Sequence, residues 1–383
     1  MKRRGLLALA ALTLILFGAS LVIYRQWGRH GESGGVSIGA ALPLSGEGAQ
    51  YGENARKAIE MAVAEVNASG GVHGRRLSVV YEDTKLQPKE AVSAVTKLVT
   101  VDKVKVIIGP MSSSEVEAVL PICEQNRIVL VSPSATDHKL SGASPFFFRT
   151  IVSDAYEGKV MADFAFKQKG YRRVAILYIE SAGPFGVSET FRKEFEGLGG
   201  QVVTTEKADQ GARDLRAQLT RVKSKQVDAL FFAGFAQETV TMVKQAKEIG
   251  LDVQILAHGT AEAPEVRQDA GEAAEGIIFA TSTLGPGSGV ESVRRFFDAF
   301  RKRYGSDPQN YAPNAYDALK LVVFAMAKYG PSADDVARGL REIADYRGAT
   351  GALSFEANGD VRQALQIMTI RGGNVLPIDR PKS

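Results

Sequence analysis

Past Val36 the chain falls into short, almost wholly apolar runs, separated by longer stretches in which apolar residues return every third or fourth position. The first run, "VSIGAALPL", predicts a strand rich in small residues. After it, "ENARKAIEMAVAEVNASGG" places Ala55, Ile59, Ala62, Val63 and Val66 on one helical face, closed by Gly70 and Gly71. "RLSVVYED" predicts a strand, "PKEAVSAVTKLVT" a helix opened by Pro88, "VKVIIG" a strand, "SEVEAVLPICEQN" a helix and "IVLVSPS" a strand. The middle of the chain repeats the scheme. Strands at "RRVAILYIE", "QVVTTEKA", "VDALFFAG" and "VQILAHG" alternate with helices at "VSETFRKEFEGLG", "ARDLRAQLTRVKSK" and "QETVTMVKQAKEIG". Such alternation implies parallel sheets with helices on both faces. The final third predicts helices at "VESVRRFFDAFRKRYG" and "NAYDALKLVVFAMAKYG", then strands around the Asn358-Gly359-Asp360 turn. Gly109 to Val129 and Gly234 to Ile255 share one order of Gly turn, helix and strand, as two lobes built alike would.

The head of the chain is patterned differently. "MKRR" precedes twenty residues without a charge, Gly5 to Tyr24. As a helix that stretch is roughly 30 Å long, enough to cross a bilayer. Lys2, Arg3 and Arg4 would stay cytoplasmic and everything after Tyr24 would lie outside. The same stretch also reads as a cleaved signal peptide with "GAS", Gly18 to Ser20, at the cut, although "LVIY" runs on beyond it. Residues 1–24 are therefore expected to be a signal peptide or a signal-anchor helix, 25–35 a flexible linker, and the body extracytoplasmic.

Composition adds bounds rather than identity. A length of 383 residues, 45% apolar and 23% charged, suits two ordinary α/β domains. The net charge of +4 is small, and no basic face interleaved with aromatics argues for nucleic acid. Cys123 stands alone, which excludes an intrachain disulfide or a thiolate metal cluster and predicts a small core residue. No nucleophile elbow, phosphate loop, dinucleotide fingerprint or metalloprotease motif is present, and no cofactor is called for. His30, His73, His138 and His258 are scattered singly.

The stretch "VIIGPMSSSEVE" stands out, because it sets hydroxyls where a strand hands over to a helix. A helix N-terminus presents unpaired N–H groups and partial positive charge, and Ser or Thr there adds donors for an anion. The next strand ends alike in "SPSAT", with Ser132, Ser134 and Thr136. Two such neighbouring strand ends form a carboxylate-sized pocket at the C-terminal rim of a parallel sheet, where ligands of open α/β folds bind. The plainer alternative is N-capping by Ser113 or Ser114.

The body as a whole resembles the type I periplasmic binding proteins, and within them the branched-chain amino-acid receptors of ABC importers. The likeness runs over about 320 residues and rests on "PLSG…YG", "IIGPMSS", "VSPSATDHKLS", "FFFRTIVSDAYEG", "NAYDAL" and "TGALSFEANGD" in that order. The resemblance implies an α/β fold of two Rossmann-like lobes with parallel sheets, joined by three hinge segments and closing on a small ligand. Crossings would fall near Ser153–Asp154, Thr281–Thr283 and Leu353–Ser354. That divides the chain into lobe 1, 36–153 plus 282–353, and lobe 2, 154–281 plus 354–383. It implies a grip on the ligand carboxylate by Ser113, Ser134 and Thr136, with Tyr51 packing on the ligand side chain. From the second lobe it implies Phe185 and Phe235, where the family often has tyrosines, and Asp154 able to face an ammonium.

One departure matters. These receptors hold the ammonium with an acid just after the strand matching "VQILAHG", and here Gly259 stands in that place, after His258 and three residues before Glu262. A lost charge-assisted bond is worth about 1.5–3 kcal/mol. The second-lobe wall is therefore expected to be more apolar than usual, and Gly259→Glu to improve amino-acid binding. Two kinds of ligand stay open, a branched-chain or related amino acid and an amine-free acid or amide. The function implied is a non-catalytic receptor delivering its ligand to an ABC permease. A membrane-tethered ligand sensor and a Ser113 hydrolase are the rival readings.

Overall fold

The computed structural model describes residues 35–46, 48–281, 285, 288–309 and 311–378. The expected signal or anchor, the linker up to residue 34, and residues 282–283 of the second crossing lie outside the described residues. Among the described residues no helix is long and apolar enough to cross a membrane.

The first sheet is five-stranded and wholly parallel. It holds β1 (Val36–Leu42), β2 (Leu77–Asp83), β3 (Val106–Ile108), β4 (Val129–Ser132) and β5 (Phe147–Arg149) in the order β2-β1-β3-β4-β5. Its connecting helices are α1 (Ala49–Ala68), α2 (Pro88–Thr100) and α3 (Ser113–Gln125), with Ala55, Ala58, Ile59, Ala62 and Val66 of α1 turned to the core. After β5 the chain enters α4 (Asp154–Asp163) and builds the second sheet. There β6 (Arg173–Glu180), β7 (Gln201–Asp209), β8 (Ala229–Ala233), β9 (Gln254–Ala257) and β10 (Ile278–Thr281) pair in parallel. They alternate with α5 (Ala182–Gly197), α6 (Arg216–Lys223), α7 (Ala236–Glu248) and α8 (Pro264–Ala270).

The chain then returns to the first lobe as α9 (Glu291–Tyr304), α10 (Ala312–Tyr329) and α11 (Ala333–Arg341). A small antiparallel sheet follows, β11 (Tyr346–Gly348), β12 (Gly351–Phe355) and β13 (Val361–Gln363). Finally β14 (Gln366–Arg371) and β15 (Asn374–Pro377) add antiparallel strands to the β10 edge of the second sheet. The expected α/β fold with parallel sheets is present, and its second sheet ends in an antiparallel ribbon.

Three elements escape the pattern reading for lack of length. β5 has three residues and β10 four, too few to show a period. The nine-residue α11 has a clean buried stripe, Ala333, Val336, Ala337 and Leu340, started by Ser332, whose hydroxyl accepts from Asp335 N. At the tip of β3 the chain needs Gly109: its φ is +98°, and a Cβ there would stand 2.1 Å from the Ala41 carbonyl oxygen.

Two buried polar anchors fix the layers. Arg149, fully buried at the end of β5, donates to Asp360 Oδ1 (2.7 Å), to the carbonyls of Ala135 (3.3 Å) and Asp137 (2.9 Å), and to Ser141 Oγ (2.6 Å). Asp317 on α10 accepts from the amides of Ala349 (2.6 Å) and Thr350 (2.9 Å) and from the Thr350 hydroxyl (2.7 Å). Burial pushes the Asp317 carboxyl up to about 6, against the pull of those donors. Residues 345–363 are thereby bound to the first-lobe side of the molecule.

Candidate functional site

The C-terminal ends of β3 and β4 meet as the hydroxyl pattern predicts, but the serines divide their labour. Ser112 is the residue that caps α3: its hydroxyl accepts from Glu115 N, while Glu115 Oε2 accepts from Ser112 N at 2.9 Å. This reciprocal box leaves Ser113 and Ser114 free of the capping task. Ser113, half-buried, accepts from the Asp137 amide at 3.1 Å, which ties it to the loop after β4. Ser132 donates to the Pro110 carbonyl (2.7 Å) and Ser134 to the Met111 carbonyl (2.6 Å), so both hydroxyls stitch one strand end to the next. Ser134 thus spends its proton on the scaffold, and Ser113 and Thr136 carry the half-buried hydroxyls of the rim. Thr136 is held from two sides, since its carbonyl accepts from Asp154 N (2.9 Å) and Arg149 fixes the carbonyls of both its neighbours.

Across from this rim lies the start of α4. Ser153 caps it, accepting from Ala155 N at 3.2 Å, and Asp154 and Glu157 follow one turn apart on the same face. Asp154 is 1% exposed, and neither carboxylate oxygen has a hydrogen-bond partner. The Thr136 hydroxyl lies close enough to ease its ionisation without hydrogen-bonding geometry. Burial pushes its carboxyl up to about 7, with His258 opposing and Glu157 reinforcing the rise.

Glu157, which the sequence reading passed over, is the acid that stands where Gly259 left a gap. Its Oε1 accepts from Gly259 N at 2.8 Å, and its Oε2 lies 3.5 Å from His258 Nε2. A Cβ at residue 259 would sit 2.8 Å from the Ala280 carbonyl, tighter than real Cβ contacts, and at ordinary contact distance, 3.4 Å, from Glu157 Oε2. Burial pushes Glu157 up to about 8, partly offset by the Gly259 amide. Burial also lowers His258, whose Nδ1 is 3.4 Å from the Gly234 carbonyl. Glu262 is fixed nearby by the Thr281 hydroxyl at 2.7 Å. Beside the Gly259 amide the structure therefore places two buried acids, Asp154 and Glu157, where the sequence drew attention to Gly259 and the phenylalanines Phe185 and Phe235.

The aromatic residues fare unevenly. Tyr51, 39% exposed, meets Tyr311 edge-to-face at 6.0 Å, and the Glu265 charge helps hold its phenol above the usual value, after burial. Tyr311 is a second residue missed from sequence. It opens α10 with a left-handed φ of +62°, and burial and the charges of Asp154, Glu157 and Glu262 push its phenol up to about 12. Backbone held in that region by a non-glycine residue costs energy and concentrates at functional sites. Phe185, 41% exposed, packs on Tyr178 at 5.5 Å and adjoins Gly186, which lies against His138 and Asp154. Phe235 is half-buried against the second-lobe core and is not joined to the acid cluster.

Comparison with known proteins finds the same family and fold. The family described as "Periplasmic binding protein" matches residues 35–374. A curated relative from Pseudomonas aeruginosa, a "Leucine-, isoleucine-, valine-, threonine-, and alanine-binding protein", is 29% identical over 331 residues, covering 85% of this chain and 87% of its own length. The structure of the branched-chain amino acid transporter substrate-binding protein LivJ from Streptococcus pneumoniae, in complex with isoleucine, superposes with a TM-score of 0.78 at 29% identity, covering 89% of this chain and 97% of that one. A leucine-binding protein LivK from Thermotoga maritima gives 0.79 at 27% identity, covering 90% and 98%. With the match spanning nearly all the described residues, the chain belongs to the periplasmic binding protein family, as a binding protein and not an enzyme.

Proposed function

We propose that the chain is the extracytoplasmic receptor of an ABC importer, taking a small zwitterionic ligand of the branched-chain amino-acid class between its lobes. One observation carries this reading. The Ser113 hydroxyl at the α3 N-terminus and the Thr136 hydroxyl after β4 lie next to the buried acids Asp154 and Glu157 of α4, so that donors and acids for the two poles of an amino acid meet in one place. The leucine-, isoleucine-, valine-, threonine- and alanine-binding protein of Pseudomonas aeruginosa and the isoleucine complex of the Streptococcus pneumoniae protein support the same ligand class. Tyr51 and Tyr311 supply the apolar wall for the side chain. The acidic wall argues against the amine-free acid, because a buried carboxylate beside an apolar ligand would be left unpaired.

The lobes are proposed to close by hinge motion, with the chain crossing between them at 150–154, after Thr281, and near 363–366. The third crossing is moved from Leu353–Ser354 because Arg149 binds Asp360 and β13 pairs with β12. Export is assigned to the uncharged stretch Gly5–Tyr24, either as a cleaved signal or as a tether to the cytoplasmic membrane.

The test is a thermal-shift series on L-leucine, 4-methylpentanoate and L-leucinamide. Only the amino acid should raise the melting temperature strongly, by about 4 kcal/mol of linked stabilisation at a thousandfold excess over Kd. Ser113→Ala should weaken leucine binding about tenfold, the loss of roughly one hydrogen bond to a charged group. Equal stabilisation by 4-methylpentanoate would overturn the zwitterion reading.

A further inference from the structure

The second-lobe wall buries two acids where a ligand would bring one cation. Among the described residues Asp154 has no hydrogen bond on either oxygen, and Glu157 accepts from the Gly259 amide and lies 3.5 Å from the His258 ring. The groups facing them are few. The β4–β5 connection contributes the Thr136 hydroxyl and His138, whose Nδ1 is turned to Gly186 beside Asp154 and lies 3.3 Å from Asp137. From β5 comes Arg149, whose guanidinium is engaged by Asp360, Ser141 and two carbonyls. From the β9 end come His258 and the Gly259 amide, from the following turn Glu262 with Thr281, and from the first lobe Tyr311 with Tyr51 behind it. The α5 face contributes Gly183 and Gly186, which carry no charge. Among these groups the one permanent cation, Arg149, is already committed. Two ionised carboxylates one helical turn apart, shut from water, cost more than such a setting returns.

We propose that Asp154 and Glu157 form a proton-exchanging cation site: the empty cleft stores a proton on the pair, and a ligand's ammonium enters as that proton leaves to solvent. The inference rests on the amino-acid reading of the cleft and adds to it the charge accounting of binding. One cation replaces another, so the buried charge is unchanged while the ligand gains a charge-assisted bond. The Gly259 amide gives the Glu157 carboxylate its hydrogen-bond partner. The upward displacement of both carboxyls, to about 7 and about 8, agrees with a proton shared near neutrality. Binding then strengthens as pH rises through this window, until the ligand's own amine loses its proton. In the acid part of the window the gain approaches about tenfold per pH unit.

The experiment is calorimetric titration of the full chain with L-leucine at pH 7, in phosphate and in Tris, whose ionisation heats differ. Release of roughly half to one proton per ligand, seen as a difference in apparent heat, is expected. In Glu157→Gln leucine should bind more weakly, and the heat of the remaining binding should differ less between the two buffers. Equal heats in both buffers with leucine still bound would overturn the exchange and leave the receptor reading standing. Binding of 4-methylpentanoate in preference to leucine would overturn both. A carbon-13 titration of the glutamate carboxyls in the ligand-free chain gives an independent reading. A resonance titrating between pH 7 and 9 and lost in Glu157→Gln supports the stored proton, and its absence overturns it.

Discussion

Glu157 is 8% exposed, and its partners are an amide and an imidazole, so its ionised form is held in place at a cost. The consequence for stability has a definite sign. Well below the ordinary values of 3.8 and 4.5 both acids are protonated whether the chain is folded or not. As pH rises from the ordinary values of 4.5 and 3.8 toward about 8 and 7, the unfolded chain releases protons that the folded chain still holds, so ligand-free stability falls. Glu157→Gln should therefore melt at a higher temperature than the parent at pH 8 and at nearly the same temperature at pH 4, by calorimetric scans without ligand. His258 acts oppositely on the acid side, since its lowered pKa removes stability as pH falls through its ordinary 6.5. Gly259→Glu, which the sequence recommends as a repair, should do harm. Its Cβ meets the Ala280 carbonyl at 2.8 Å and its carboxylate would crowd Glu157, so a loss of about 1–3 kcal/mol and no gain in leucine affinity are expected.

At the scale of elements, the ligand rim is two strand ends sewn together and braced from below. Ser132 and Ser134 reach the carbonyls of Pro110 and Met111, and Arg149 holds Ala135 and Asp137 on either side of Thr136. Because Arg149 is buried and paired with Asp360, Arg149→Met should cost about 3–5 kcal/mol by leaving that acid uncompensated. Urea denaturation checks this, and adding Asp360→Asn should restore part of the loss. The hydroxyl pattern on β3 and β4 was legible because strand, turn and helix follow one another in the chain. The choice of Ser112 as cap over Ser113 or Ser114 was not, since it depends on which φ and ψ the turn adopts, and Ser112 is extended at −95° and 152°. The brace from Arg149 joins residues 211 positions apart and leaves no local signal.

For the whole molecule, two sheets joined by returning segments make closure the natural response to a ligand that bridges both walls. Small-angle scattering should show the radius of gyration falling on saturation with leucine, and Thr136→Val with Ser113→Ala should abolish the change at the same ligand concentration. A receptor that binds without compaction would contradict hinge closure. The third sheet limits where the hinge can act, because Asp317 and Arg149 fasten residues 345–363 to the first lobe.

By itself the sequence determined the alternation of strands and helices, the hydroxyl-bearing strand ends and the uncharged leader, since each is written in neighbouring residues. Only the tertiary structure decided the polarity of the second-lobe wall. Gly259, read in line, announces a missing acid, yet Glu157 sits 102 positions earlier in the chain and fills that space with its carboxylate on the Gly259 amide. Tyr311 likewise is brought against Tyr51 through a left-handed turn that the apolar pattern around it does not encode. Charge in a buried site is a sum over groups brought together by folding, and such a sum has no period along the chain.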